Sequence, residues 1–328
     1  MLHLLGMGYA NPTTVITNEF LEELGTGTTA AWIREKIGIE TRLSALPLDY
    51  IKQTRNVDPR EALRVATTNP SELGAAAARM ALDRAGVKAE QVGLIIGNCC
   101  TPAQTTPSEA QRIGKLLGLK QVRAYDVFTA CPAFALHLDI LNNFKEESLP
   151  EYILGVSTAA LTLKVNYNDR TDGAIWGDGA AAYLLSTRHP GKLKLLYADY
   201  IADPSRCDAV IVDTLGHFHQ DGKAVRSFSV LQTVKMIRQM EAMFSIDWQR
   251  DIFIGHQANY TMLKQIVDNR EIPDSNHWHN VVNVGNQAGA GAPASLAMNW
   301  NNIQPGQKIV VAVVGAGLSW GSALLEGV

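Results

Sequence analysis

Short β-branched runs alternate with longer stretches of helical periodicity along most of the chain, the pattern of an α/β protein whose strands lie buried between helices. Val92-Gly93-Leu94-Ile95-Ile96-Gly97 reads as such a strand. The Ala-rich stretch Glu72 to Ala85 before it predicts a tightly packed helix, with Ser71 as its N-cap and Gly86 as its stop. The same order of features then occurs twice. The first copy runs strand (Leu94 to Ile96), helix (Ser108 to Leu117), strand (Ala124 to Val127), then Cys131 opening an apolar helix from Phe134 to Leu141. The second runs strand (Ile252 to Ile254), His256, a helix through Met262 and Ile266, strand (Val281 to Val284), then Asn286 and a helix from Ala294 to Met298. From Ile95 to Asp126 is 31 positions, and from Ile254 to Asn286 is 32. Each copy ends in a further strand, Tyr152 to Val156 and Ile309 to Val314. Two related α/β halves are expected, residues 1–188 and 189–328. Residues 43–70, with Pro47, Pro59, Pro70 and the charged stretch Lys52 to Arg64, interrupt the first half as an insertion. It reads as a solvated surface excursion, with a lid or channel wall as its functional alternative.

Composition narrows the class. The 328 residues are 46% hydrophobic and 19% charged, those of an ordinary globular protein. No apolar run approaches the roughly 18 residues of a spanning helix, so no membrane span is expected. A net charge of −3 without a basic block gives no field for a nucleic acid. The first basic residue is Arg34, so neither a secretory signal nor a transit peptide is read, and a cytoplasmic location is expected. The four cysteines, Cys99, Cys100, Cys131 and Cys207, include no C-x-x-C pair.

The candidate chemistry begins at Cys131, which follows a strand and a Thr-Ala turn and precedes Pro132 and an apolar helix. Proline favours the first helical position, which puts Cys131 at or near the N-cap, where free backbone N–H groups and the helix dipole stabilise a thiolate and lower its pKa. A free cysteine is also a good buried hydrophobe, and the position alone leaves both roles open. His256 lies directly after a buried strand, where open α/β sheets place ligands, and Asn286 occupies the corresponding place in the next strand-turn-helix of the same copy. The alternating pairs His217/His219 and His277/His279 lack a third ligand in register and read as exposed loop residues; no metal is expected.

With these residues the chain resembles the β-ketoacyl-acyl carrier protein synthase III family of the thiolase superfamily, from Leu2 to Leu325. The resemblance rests on six landmarks in order: Trp32-Ile33-Arg34 through Gly38-Ile39-Glu40-Thr41-Arg42, Thr129-Ala130-Cys131, Trp176-Gly177-Asp178-Gly179-Ala180, Gly255-His256-Gln257-Ala258-Asn259, Gly285-Asn286, and Gly315 to Leu324. It implies an α/β, thiolase-like fold layered α-β-α-β-α, and a catalytic trio of Cys131, His256 and Asn286. Cys131 takes the acyl group from an acyl-CoA or acyl-carrier-protein donor, and a malonyl-type or β-ketoacyl thioester then condenses with it. His256 and Asn286 stabilise the enolate oxygen, and the backbone N–H groups of Cys131 and Gly317 form a second oxyanion hole. Trp32, Thr106, Phe134 and Asn259 are the implied substrate-binding residues. The implied partners are an acyl carrier protein and a second copy of the chain, with no cofactor besides the thioester substrates.

The departures carry information. The family's usual Ser-Gly-Phe after the cysteine is here Pro132-Ala133-Phe134, and its Thr-Ser-Ala-Ala-Ser after the asparagine is Gln287 to Gly291. Thr261 stands where the family has an arginine that docks the carrier protein, leaving Lys264 or the basic residues of 52–64 as substitutes. Thr106 replaces a phenylalanine that closes the partner's pocket in acetyl-selective members, which implies medium or long acyl donors unless pocket depth is set elsewhere. The insertion resembles family members of secondary metabolism that join two fatty-acid-derived chains into alkylresorcinol-type rings. Within the fold the alternatives are an acyltransferase using the Cys131 acyl-enzyme without decarboxylation, a hydroxymethylglutaryl-CoA synthase-like enzyme, and a non-catalytic subunit of a heterodimeric synthase. Gly315-Ala316-Gly317 is not a dinucleotide site, because a strand pattern and not a helix follows it.

Overall fold

The computed structural model describes residues 1–170 and 172–328. Nine strands make one mixed sheet: β1 (His3–Ala10), β2 (Val92–Cys99), β3 (Arg123–Asp126), β4 (Tyr152–Ala160), β5 (Asp178–Ser186), β6 (Leu193–Ala202), β7 (Ile252–Gly255), β8 (Lys308–Gly315) and β9 (Ser319–Gly327). Their order is β7-β8-β9-β6-β1-β5-β4-β2-β3. The outermost neighbours at each end are parallel, with Leu94 opposite Arg123 and Ile252 opposite Ile309, whereas the pairs between β4 and β8 are antiparallel. At the centre β1 and β6 share only His3↔Lys194 and Leu4↔Leu193. The β4 run YILGVSTAA is buried along all nine residues, which explains a composition that is apolar but for Ser157 and Thr158.

The alternation of side chains along β5 separates two faces. Ala180, Ala182 and Leu184 join a cluster with the helices α1 (Pro70–Ala85) and α2 (Glu109–Leu116), while Ala181 and Tyr183 point the other way. On that second face lie α3 (Ala133–Asn143), packed on β6 and β9, and α6 (Gly291–Met298), packed on β1 and β5. Two further helices, α4 (Gly222–Met243) and α5 (Tyr260–Asn269), pack on each other, and α4 covers β8. The layering is α-β-α-β-α. Phe134, Leu138 and Leu141 anchor α3 in the middle layer, each burial worth about 1.5–3 kcal/mol. No helix among the described residues is long and apolar enough to cross a membrane.

Three expectations are corrected. Val281–Val284 is one helical turn and not a strand. Its carbonyls are used by the entry to residues 41–44: Val282 O accepts from Glu40 N at 2.7 Å and Asn283 O from Thr41 Oγ1 at 2.6 Å. Tertiary hydrogen bonds here overrule the β-branched composition. The α1 cap is Asn69, in a capping box with Glu72, and Pro70 takes the first helical position; Ser71 is buried and bonds Glu109 and Arg112 instead. Residues 43–70 are not a solvated excursion but two short helices, Leu48–Thr54 and Pro59–Val65, docked through Leu46, Ile51 and Ala62. Asn56 fixes them from within, its Nδ2 donating to Leu163 O at 3.1 Å and Val165 O at 2.8 Å. One buried residue per turn among charged neighbours hid this face in the sequence.

Candidate active site

Cys131 reaches its place through a loop held at several points. Val127 N donates to Gly97 O at 2.8 Å, and Thr129 N donates to Asn98 Oδ1 at 3.1 Å. Thr129 Oγ1 meets Tyr200 Oη at 3.0 Å before Pro132 opens α3. Gly315, at the end of β8, backs directly onto this turn: a Cβ there would stand 2.9 Å from Cys131 N and 2.7 Å from Pro132 Cδ. His256 follows β7 by one residue. Gln257 locks its turn, donating to Gly255 O at 2.8 Å and accepting from Asn280 N at 2.9 Å. Asn259 caps α5 by accepting from Met262 N at 3.1 Å.

Asn286 is held by the segment before β5. Its N donates to Ile175 O and its O accepts from Gly177 N, both at 3.0 Å. Asn286 Oδ1 accepts from Ala288 N at 2.9 Å, which fixes the amide orientation and leaves Nδ2 as the remaining donor. The landmark Asp178 is structural: its carboxylate accepts from Ala45 N at 2.7 Å and Thr162 N at 2.8 Å, and its backbone O from Gln287 Nε2 at 2.8 Å.

Cys131, His256 and Asn286 line one cavity of about 620 Å³, with exposures of 8%, 9% and 3%. Trp32 and Asn259 line it too. Much of the wall is apolar, from Ile175, Trp176, Phe218, Phe228, Met262 and Leu318, with Lys36, Lys223 and Arg226 among the basic lining residues. Gly317 lies between the lining residues Ala316 and Leu318, at a φ of +128° that only glycine adopts easily.

Burial governs the electrostatics. It pushes the Cys131 thiol up to about 12, against which its own backbone N–H pulls only partly. The expected low-pKa thiolate is therefore corrected: lost hydration outweighs the helix start. Burial brings His256 down to about 4, so its ring is neutral at pH 7 and carries one N–H. Burial also pushes Cys100 up to about 12, with the Cys131 charge adding to it, and Cys99 well above the ordinary thiol range. The cavity thus presents a thiol, a neutral imidazole and an amide donor together. Such a set suits acyl transfer and stabilisation of a developing oxyanion.

Two family models match the chain, 3-oxoacyl-[acyl-carrier-protein] synthase III over residues 125–204 and its C-terminal model over residues 248–326. The β-ketoacyl-[acyl-carrier-protein] synthase III of Rhodospirillum rubrum is 30% identical over 340 aligned positions, covering 98% of each chain. The chain belongs to the β-ketoacyl-acyl carrier protein synthase III family. The crystal structure of the Aquifex aeolicus 3-oxoacyl-[acyl-carrier-protein] synthase III shares the thiolase-like α/β fold, with a TM-score of 0.87 and 25% identity over 99% of this chain and 100% of that one. The priming β-ketosynthase of the R1128 polyketide pathway has the same fold, with a TM-score of 0.81 and 24% identity over 100% and 96%. The protein is a synthase III-like condensing acyltransferase.

Not every expected residue of this synthase lies at the cavity. Phe134 is buried in the core, edge-on to Tyr183 with ring centroids 4.8 Å apart, and does not line the cavity. Thr106 is exposed and does not line this cavity. Lys264 is neutralised by Asp268 at 2.7 Å and Asp274 at 3.0 Å, and Arg60 and Arg64 are paired with Asp58 and Glu61. His277 is buried against Phe253, not exposed, and His217 Nε2 meets Asn56 O at 2.8 Å. Sequence reasoning missed Arg170, whose guanidinium lies 5.5 Å from the Trp32 ring centroid, and the lining pair Asp172 and Gln220. Arg170 and Asp172 sit in a polar stretch that reads as loop, and their only cue was nearness to the Trp176-Gly177-Asp178 landmark.

Proposed function

We propose that Cys131 forms an acyl-enzyme and that the reaction is a decarboxylative Claisen condensation. Cys131 sulfur attacks the carbonyl carbon of an acyl thioester, its proton leaving with the donor thiol as the original C–S bond breaks. A malonyl-type thioester then loses CO₂, the electrons of the broken C–C bond forming an enolate. The enolate carbon attacks the acyl carbonyl, and the sulfur of Cys131 departs and regains a proton. His256 N–H and Asn286 Nδ2 bond the enolate oxygen, and the N–H groups of Cys131 and Gly317 bond the tetrahedral oxyanion. The observation carrying this reading is that a thiol, a neutral imidazole and an oriented amide line one cavity.

The donor is an acyl-CoA or acyl carrier protein carrying a medium or long chain, which the apolar wall and the missing plug at Thr106 favour. Lys36, Lys223 and Arg226, around the same cavity, are the docking groups for an acidic carrier protein. The four-residue edge strand β3 lies at one end of the sheet, with Tyr125 partly exposed and Phe128 70% exposed nearby, which supports a homodimer built on that edge. A role in lipid or secondary-metabolite synthesis fits this substrate class.

The test is intact-mass detection of the acyl adduct together with CO₂ release from a malonyl thioester. Cys131→Ala should abolish both, whereas an adduct at Cys99, Cys100 or Cys207 would overturn the assignment. His256→Ala and Asn286→Ala should slow decarboxylation by about 10²–10³-fold while acylation persists. An adduct without CO₂ release in the wild type would establish simple acyl transfer to another nucleophile instead.

A further inference from the structure

Asp172 is the one carboxyl group among the described residues that line the cavity. It is 6% exposed, and its Oδ1 accepts from Gln220 Nε2 at 2.8 Å, the one hydrogen bond made by its carboxylate among the described residues. Gln220 belongs to the hairpin Val210–Val212/Phe218–Gln220, which also contributes Val210 and Phe218 to the wall. Along its own segment Asp172 stands between Arg170, over Trp32, and Trp176, bridged to Asn286. Burial holds the group up at about 6, so it is a carboxylate at neutral pH. A carboxylate this deep is costly unless a donor meets it. An unsubstituted acyl chain has no donor. The pantetheine arm, which must thread the same cavity to bring its thioester to Cys131, carries two secondary amides with one N–H each.

We propose that Asp172 is a specificity-determining residue whose free carboxylate oxygen accepts a hydrogen bond from an amide N–H of the substrate's pantetheine arm. Gln220 fixes the other oxygen and so aims the group. The assignment rests on the acyl-enzyme reading above, and the experiment separates the two. One acyl group is presented on coenzyme A, with both amides, on N-acetylcysteamine, with the near amide only, and on ethanethiol, with none. The second-order rate of Cys131 acylation is followed by intact mass in the wild type, Asp172→Asn and Asp172→Ser, with native thermal unfolding required of each variant. Asp172→Asn should slow acylation by the coenzyme A thioester about ten- to a hundredfold, the worth of one charge-assisted hydrogen bond, and leave the ethanethiol ester unchanged. In Asp172→Asn the Gln220 bond takes the amide oxygen and leaves an N–H toward the arm, whereas Asp172→Ser presents a hydroxyl that can accept and should lie between. The N-acetylcysteamine ester identifies the amide: a coenzyme A-sized loss marks the near one, and no loss marks the far one. An equal loss with all three esters, or none with any, would overturn the assignment and leave the acyl-enzyme intact. A wild type acylated by none of them would overturn both.

Discussion

The thiol of Cys131 should be almost wholly protonated in the free enzyme, and its alkylation should show it. With the group pushed up to about 12 by burial, the thiolate is the minor form throughout the neutral range. At pH 7.5 about 3 molecules in 10⁵ carry it, against about one in ten for an ordinary thiol near 8.5, a difference of about 3,000-fold. The assay is iodoacetamide labelling of Cys131 read by peptide mass mapping between pH 7 and 10, beside a free cysteine peptide. Restricted access at 8% exposure lowers the rate at every pH without altering its slope. The rate at Cys131 should therefore climb about tenfold per pH unit across the whole range, while the peptide levels off. His256→Ala should leave that slope unchanged, because an imidazole brought down to about 4 is neutral and forms no ion pair with the sulfur. A plateau below about pH 9, or a slope altered by His256→Ala, would refute the argument and restore the thiolate expected from the helix start alone.

Gly315→Ala places a methyl group 2.9 Å from Cys131 N, so the nucleophile's turn must shift; we expect a loss of about 1–3 kcal/mol in denaturant unfolding and a slowing of acylation by about 10–100-fold. An unchanged acylation rate would show that the turn is not held from behind. His137, fully buried with its Nδ1 at 2.6 Å from Tyr183 Oη, is brought down to about 4 by burial. A depressed histidine gives stability that is complete above its unfolded value near 6.5 and lost as the pH falls towards 4. Between those limits the wild type should lose about 3 kcal/mol more than His137→Gln in urea unfolding, and parallel curves would refute it.

Strands and helices were legible where one local rule acted alone. The buried runs of β2, β4, β7 and β8 could be read from apolar continuity, and α2 is expected from Ser108 to Leu117, within a residue of its observed ends. At Asn69-Pro70-Ser71 the serine reads as the cap, but Pro70 takes the first helical position and leaves the cap to the residue before it. The helices within 48–65 bury too few residues per turn to give a readable stripe. At the site, the positions of Cys131, His256 and Asn286 were readable from the repeat, but their protonation was not. The surroundings of Cys131 include Gly315, 184 residues away in the chain, which backs directly onto it. Asp172 escaped for the same reason, since its hydrogen-bonding partner Gln220 arrives on a later hairpin.

The repeat also separates two kinds of information that a spacing holds. The intervals of 31 and 32 residues correctly place two turns, one leading to Cys131 and one to Asn286, but the backbone between differs. Before Cys131 the chain runs as β3, a true edge strand paired to β2 through four residues. Before Asn286 the matching run coils into a helical turn, and among the described residues the sheet ends at β7, whose flank carries the isolated bridge from Phe253 to His277. That turn brings Asn286 back to pair with Ile175 and Gly177 through its backbone, so the segment entering β5 holds its main chain while Ala288 N orients its side chain. A strand at Val281–Val284 would have kept those groups in a ladder with β7 and left the Ile175–Gly177 segment without its partner. Equal spacing therefore reports where the turns fall in the topology, and the hydrogen bonds that each turn must satisfy decide its conformation.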